Sequence, residues 1–588
     1  MADGRGLSTE WSELEGISAG RVHLGVLQPE PQPWVAARGD LWVWVEGEII
    51  DAQGLARRHG VDASDRTSDA EIVATLYRRG GWEFLRDADG VFHLALYDAR
   101  DHALHLATDR HGLRPLYLTR IRGDLAWAAE VKALLNLPDH SAAIDPEAVG
   151  EWFSFGQLLD ARTWIRGVEL LPPATVLHCT SQGEKRRRYW SWREQRTLPE
   201  SSDEGELAEA LGDLWLRAVR RRMDARPLGQ LLSGGLDSRA ILAALPRETP
   251  SYATLTFGQR GCEDLRIARR AARRKGVPHR FVEIHAGNWL PARIDAVWRT
   301  DGMVGVFDLH GCEAQPLLAD LCRVQIHGYL GDATVGGSYA GPADPDAYLR
   351  EWLVTEGPLG LEPAEALARL RALWDRDGFP LDRFLVEQRG RRRINQAVTA
   401  AFSSMEVRLP FFDRDFLDFV YALPESLRRE SRLYTRMLLE RFPELFRSIP
   451  WARTGLPIGV GRTEERVRRG GQRAARALRR GARRLGVRAP EPPRRYVDYA
   501  SWLRAEPARG FARCLLLDRE ALHPSYVDAD RGRRLLEGFE TGDSRELSTL
   551  GWLLTFEIHL RQLFDPAGLA TFAGAVEWSK ELPGSRGS

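Results

Sequence analysis

Leu228-Gly229-Gln230-Leu231-Leu232, followed directly by Ser233-Gly234-Gly235-Leu236-Asp237-Ser238, is a short apolar run that breaks into a glycine-containing turn and then into a helical pattern. Strand, turn and helix in that order form the repeating unit of a parallel α/β sheet. The paired glycines let the backbone approach phosphate oxygens closely. The N-terminus of the following helix offers unpaired N–H groups and a positive dipole end to the same anion, and Asp237 can hold Mg²⁺ against those phosphates. The turn is not a Walker loop, because no lysine follows the glycines.

The alternation continues outward from this turn. Glu206 to Arg222 has helical periodicity, Ser251 to Phe257 reads as the next strand, Glu263 to Lys275 as the next helix, and Val324-Gln325-Ile326 as a third strand ending in Gly328. Beyond residue 345 the pattern is mostly helical. Arg466 to Arg495 is an arginine run broken by Gly, Ala and Pro, which reads as a solvated insertion or as a contact surface for an acidic partner. Before Glu206 the style differs. Leu41-Trp42-Val43-Trp44-Val45 and Val91 to Tyr97 are rich in β-branched and aromatic residues, and Leu104 to Ala107 and Pro115 to Leu118 continue that pattern. One amphipathic helix is expected from Asp69 to Arg79, capped by Ser68. A layered, sheet-rich domain therefore ends near Tyr189, and the polar stretch Arg193 to Gly205 reads as a linker. Two domains are expected, 1–195 and 206–588, the second carrying an Arg-rich insertion at 461–495.

Composition narrows the function classes. At 588 residues the chain exceeds one core. A formal net charge of +1 gives no global electrostatic case for nucleic acid or membrane binding. The five cysteines form no CxxC pair, so neither zinc nor a redox dithiol is suggested. The acidic N-terminus lacks the apolar core of a signal peptide, no apolar run is long enough to span a bilayer, and a cytoplasmic protein with reduced thiols is expected.

Ser233 to Ser238 resembles the pyrophosphate-binding loop of the asparagine synthetase superfamily, whose members adenylate a carboxylate and release pyrophosphate. His327-Gly328-Tyr329-Leu330-Gly331-Asp332, with Gly336-Gly337, is similar to the family's second phosphate loop. Met405-Glu406-Val407-Arg408-Leu409-Pro410-Phe411 resembles its EVRxPF segment. Asp109-Arg110-His111-Gly112-Leu113-Arg114-Pro115-Leu116-Tyr117 and Gly47-Glu48-Ile49 resemble stretches of its N-terminal glutaminase domain. The resemblance implies an N-terminal Ntn-hydrolase-like layered α+β domain and a C-terminal adenine-nucleotide α-hydrolase-like parallel α/β synthetase domain with a helical extension. It also implies ATP and Mg²⁺ as cofactors. Asp237 and Asp332 are the implied Mg²⁺ ligands. Leu232, Ser233, Gly234, Gly235, Asp237, Ser238, Phe257, His327 and Gly328 are the implied ATP contacts.

Two departures from the family sharpen the expectation. Active glutaminases of this class use a cysteine at residue 2; here that residue is Ala2, and Glu46 replaces the asparagine before the Gly-Glu-Ile triplet. A thiolate nucleophile is missing, so the first domain is expected to be a degenerate glutaminase. At the second loop Tyr329 replaces a glutamate, which resembles β-lactam synthetase. That comparison implies a Tyr329–Glu406 dyad relaying the proton that the attacking amine loses. The β-lactam enzymes also use a lysine, and none occurs between Lys275 and Lys580. The nearest match, Arg453 in Trp451-Ala452-Arg453-Thr454-Gly455, can supply fixed charge but no acid. Without an ammonia source, an intramolecular amine is the economical nucleophile. The chain resembles lasso peptide cyclases, which join the N-terminal amine of a core peptide to an Asp or Glu side chain, more closely than the small-ring enzymes, being longer, with the arginine-rich insertion and an extended helical C-terminal region, and lacking their lysine. A β-lactam-synthetase-like cyclase, an ammonia-dependent asparagine synthetase relative and a non-enzymatic peptide-binding scaffold are the alternatives. The resemblance implies a precursor peptide as partner, with a leader peptidase and a leader-binding protein of the same pathway, and neither nucleic acid nor membrane.

Overall fold

The computed structural model describes residues 7–14, 16–246, 249, 251–340, 344–353, 359–460, 495–574 and 578. The Arg-rich stretch 461–495 thus lies outside the described residues except for Arg495. The strands in chain order are β1 (Ser8–Leu14), β2 (Ile17–His23), β3 (Trp34–Val35), β4 (Leu41–Ile50), β5 (Asp89–Asp98), β6 (Ala103–Thr108), β7 (Tyr117–Ile121), β8 (Asp124–Ala128), β9 (Glu169–Leu170), β10 (Thr175–Thr180), β11 (Gly183–Arg188), β12 (Leu228–Leu231), β13 (Tyr252–Gly258), β14 (His279–Glu283), β15 (Val324–Ile326) and β16 (Glu406–Arg408).

The first half holds an antiparallel six-stranded sheet, ordered β11-β10-β6-β5-β4-β3, a three-stranded sheet β8-β7-β9, and the separate hairpin β1-β2. Alternation along β4 buries Leu41, Val43, Val45 and Ile49 on one face, as period-two patterning requires. The helix Asp69–Gly80 covers that face, and the Ser68 side chain caps its first turn by accepting from the Glu71 N–H.

In the second half β14-β13-β12-β15-β16 form a parallel sheet. Strand order runs outward in both directions from β12, so the crevice between β12 and β15 is the switch point where ligands of open α/β sheets bind, at the carboxyl ends of the strands. The helix Leu236–Ala244 leaves β12 there. The later chain is helical, including a π-helical stretch Val386–Ile394 and the buried helix Leu547–Phe564.

The halves do not keep separate cores. One apolar cluster runs from Ala36 to Ile458, and a second joins residues 117–170 to residues 284–569. The expected linker is also fastened: Leu198 N–H donates to the Ala422 carbonyl at 2.6 Å, and Arg193 donates to the carbonyls of Arg376 and Asp377. Among the described residues no helix is long and apolar enough to cross a membrane, and Cys179, Cys262, Cys312, Cys322 and Cys514 are all free thiols.

A candidate nucleotide site at the sheet switch point

The turn after β12 is held open by its own side chains. Ser233 N–H donates to Ser238 Oγ at 3.1 Å, Gly235 N–H to Ser233 Oγ at 3.1 Å, and Gly234 N–H to Asp264 Oδ1 at 2.8 Å. Leu232 runs into the turn from the sheet, with its N–H bonded to the Leu255 carbonyl and its own carbonyl accepting from Thr256. A Cβ at Gly234 would come within 2.6 Å of Ala452 Cβ and 3.0 Å of Ile267 Cδ1, so close packing requires glycine there.

The loop after β15 closes against this turn. A Cβ at Gly328 would lie 3.5 Å from both Asp237 Cβ and Ser238 N, and one at Gly331 would lie 2.6 Å from Asp237 Cγ and 2.8 Å from Phe411. Asp332 N–H donates to Asp237 Oδ2 at 2.9 Å, and Tyr434 donates its hydroxyl to Asp237 Oδ1 at 3.2 Å. Burial, and then the Asp332 charge, push the Asp237 carboxyl up to about 7. The backbone of one expected metal ligand, Asp332, thus meets the carboxylate of the other, Asp237, across the switch point.

Their chemistry fits a magnesium ion. Mg²⁺ is commonly held by one or two carboxylates, with phosphate oxygens and water completing the shell, and no described group of three or more His, Cys, Asp or Glu competes for it. No cationic side chain is among the principal neighbours of Asp237, so a bound cation would offset the burial, and then the Asp332 charge, that raise its pKa.

Other expected contacts cluster here. Phe257 is the penultimate residue of β13, half-buried, with its ring 6.1 Å from Tyr496 and against the Gly311 backbone. His327 is half-buried, its N–H bonded to the Arg408 carbonyl, its Nδ1 enclosed and unpartnered, and its pKa depressed by desolvation to about 4. The ring is therefore neutral. Arg453 lies on a turn docked to the phosphate loop, since Ala452 N–H donates to the Gly234 carbonyl at 3.1 Å and Trp451 bridges Leu456. The guanidinium is exposed, 5.5 Å from the Trp451 ring centre.

The expected Tyr329–Glu406 dyad is not assembled. Glu406 opens β16 and pairs in register with Val324, at the amino end of the sheet, whereas Tyr329 follows the carboxyl end of β15. Glu406 accepts from Arg114 Nη1 at 3.1 Å, and Arg114 also bonds Glu46. The Tyr329 hydroxyl is buried without a partner, its ring is 5.0 Å from Phe412, and burial raises its pKa well above the usual value. The physical reason is register. Parallel strands share their ends, and the order of motifs along the chain does not specify which end of the sheet each residue occupies.

Glu46, Glu48, Glu406 and Arg408 instead form a strut between the halves. Arg408 makes a bidentate pair with Glu48 at 2.5 and 2.7 Å and also bonds Asp224, while Glu46 takes Arg114 and lies 3.6 Å from Arg21. Asp109 shapes the Arg114 turn by accepting the N–H groups of His111, Leu113 and Arg114. Arg110, on the same turn, reaches Asp418. Sequence reasoning misses Asp264 and Tyr434, which fix the phosphate loop and Asp237. Asp264 is detectable as an acid in the first turn of the next helix; Tyr434 lies on a distant helix with no local signal.

A glutamine amidotransferase domain model matches residues 2–190, and an asparagine synthase model matches residues 210–398. The chain is 27% identical over 368 residues to Amidase chry2 of Gibberella zeae, covering 57% of this chain and 53% of that protein. It is 26% identical over 286 residues to glutamine-hydrolyzing asparagine synthetase 2 of Bacillus subtilis, covering 46% and 38%. It is 27% identical over 420 residues to the glutamine-hydrolyzing asparagine synthetase of Gallus gallus, covering 68% of each. In the first two of these the chain spans about half the relative's length or less. An amidotransferase domain match followed by an asparagine synthase match, with two phosphate-loop segments meeting at the switch point of the second, supports the asparagine synthetase superfamily for this chain.

Proposed function

We propose that this chain is an ATP-dependent carbon–nitrogen ligase that adenylates the Asp or Glu side-chain carboxylate of a core peptide and closes a macrolactam with the peptide's N-terminal amine, releasing AMP and pyrophosphate. The observation that carries the ligase reading is the meeting of Asp237 and Asp332 beside a glycine turn and a helix N-terminus. Asp237 and Asp332 would hold Mg²⁺, which when bound neutralises charge on the departing pyrophosphate. The backbone N–H groups in the first turn of the helix that begins at Leu236 would orient the phosphates, and Arg453 stands at the rim of the loop with a guanidinium charge. Phe257, half-buried near the end of β13, offers apolar surface to the adenosine, with Leu232 buried beneath the turn.

The macrolactam reading is supported by the first half. Glu46, at the position of the family's asparagine, is committed to Arg114 and Arg21, and no cysteine precedes Cys179. That arrangement favours an amine brought by the substrate over ammonia released from glutamine. The precursor peptide, a leader peptidase and a leader-binding protein are the partners this reading requires.

The test is to incubate the protein with Mg²⁺, ATP and candidate precursor peptides and to read the peptide by mass spectrometry. Loss of one water, dependent on a single Asp or Glu and on a free N-terminus, is expected. AMP formation with a small carboxylate and no dehydrated peptide would remove the macrolactam reading and leave the ligase.

A further inference from the structure

Arg239 closes the first turn of the helix Leu236–Ala244, directly behind the phosphate turn, and its side chain is wholly buried. Its Nε donates to the Gly235 carbonyl at 2.8 Å, and its Nη1 reaches the carbonyls of Ile449 and Leu445 at 3.3 and 3.4 Å. The guanidinium carbon lies 5.0 Å from the centre of the Phe446 ring. Nη2 is buried and has no partner among the described residues. Nε and Nη2 share one edge of a planar guanidinium, so the free donor lies on the edge that meets the phosphate turn.

This cation is out of place for the fold alone. Other buried arginines face carboxylates: Arg222 takes Asp89 and Asp413, Arg293 takes Glu313, and Arg561 takes Glu557. Arg391 and Arg392 bond carbonyls, yet Glu387 and Asp109 act on the charge of the first, and Glu151 and Asp160 on that of the second. No carboxylate is among the principal influences on Arg239. Burial lowers its pKa to about 10, which still leaves the guanidinium charged at neutral pH. A buried charge without a counter-ion is costly, and a cation near a helix N-terminus opposes the helix dipole. Asp237 shares the turn, but its oxygens are taken by the Asp332 N–H and the Tyr434 hydroxyl. An anion arriving at the turn relieves both penalties at once. Local rules broken in this way mark functional sites.

We propose that Arg239 is the built-in counter-charge of the pyrophosphate, a positioning residue that fixes the Gly235 carbonyl from behind and lends its charge to the anion held in front. In a trans peptide the carbonyl and the following N–H point opposite ways. A carbonyl fixed on Arg239 therefore turns the Leu236 N–H toward the anion. The proposal rests on the ligase reading above and deepens it, by naming the charge that favours the pyrophosphate end of ATP.

The test is calorimetric titration of the full chain with inorganic pyrophosphate at fixed Mg²⁺, beside thermal melting of the ligand-free protein. Arg239→Met and Arg239→Gln should each weaken pyrophosphate binding by about 10- to 100-fold and leave adenosine affinity within about twofold. The ligand-free melting midpoint of Arg239→Met should hold or rise, because an uncompensated charge is removed. Arg239→Lys keeps the charge and should bind pyrophosphate more tightly than either neutral variant. Full pyrophosphate affinity in a folded neutral variant overturns the proposal. So does loss of cooperative melting in both neutral variants, which would make Arg239 a structural cation. An Arg239→Lys variant no better than Arg239→Gln would trace the effect to the carbonyl bonds and overturn the counter-charge. If the unaltered chain binds no pyrophosphate, the ligase reading falls as well; if it binds as tightly as its neutral variants do, only the assignment of Arg239 falls.

Discussion

Tyr329 and Glu406 are both buried, yet only one of them is partnered, and the two should fail in different ways when altered. Burial together with the Glu46 carboxylate raises the Glu406 pKa while Arg114 lowers it. Glu406→Gln should therefore act on stability. It removes one of two anions from a buried guanidinium, which costs on the order of 3 kcal/mol, and lowers the midpoint of denaturant unfolding; an unchanged midpoint would contradict the strut. Tyr329→Phe deletes a hydroxyl that has no partner, so stability should be retained. If the phenol acts on substrate, dehydration of the peptide should fall while ATP–pyrophosphate exchange persists. Because the two residues share no partner, their effects should add, which a double mutant checks directly.

At the scale of elements, the glycines of the two phosphate loops are the sharpest test of the site. Gly331→Ala would drive a methyl group into Asp237 Cγ and Phe411. Loss of at least about 100-fold in exchange activity is expected from a displacement of that kind, with the melting transition lowered only modestly; full exchange would contradict the loop packing. These elements are legible in the sequence alone. The strand–turn–helix around Ser233 to Ser238, the helix Glu263–Lys275 and the strand Val324–Ile326 follow from periodicity and glycine punctuation, and the structure returns them with shifts of a residue or two at most. What the sequence conceals is long-range. Which end of the sheet Glu406 occupies depends on a parallel pairing with residues more than 80 positions away. The bonds of Arg391 to the Gly112 and Leu171 carbonyls and of Arg392 to those of Leu158 and Arg162 depend on the π-helical stretch Val386–Ile394, which has no local signature in propensity. Tyr434 reaches Asp237 from a helix whose own pattern reports only its apolar face.

At the scale of the molecule, the two halves behave as one folded body. Residues 117–170 bury their apolar face against residues 284–569, and Trp152 Nε1 donates to the Trp552 carbonyl at 3.1 Å. A fragment beginning after Tyr189 should expose that surface and be recovered as aggregate; a soluble, cooperatively melting fragment would show that the first half is dispensable. Glutamine should be neither required nor hydrolysed, since Glu46 and Arg114 occupy each other; ATP-independent release of glutamate by the purified chain would overturn that. The central claim, that Asp237 and Asp332 serve adenylation of a carboxylate, is tested most directly by identifying the nucleotide products made alongside the condensed product. The account predicts AMP and pyrophosphate in equal amounts, abolished in Asp237→Asn and Asp332→Asn, whereas ADP with phosphate, or undiminished AMP in either variant, would contradict it.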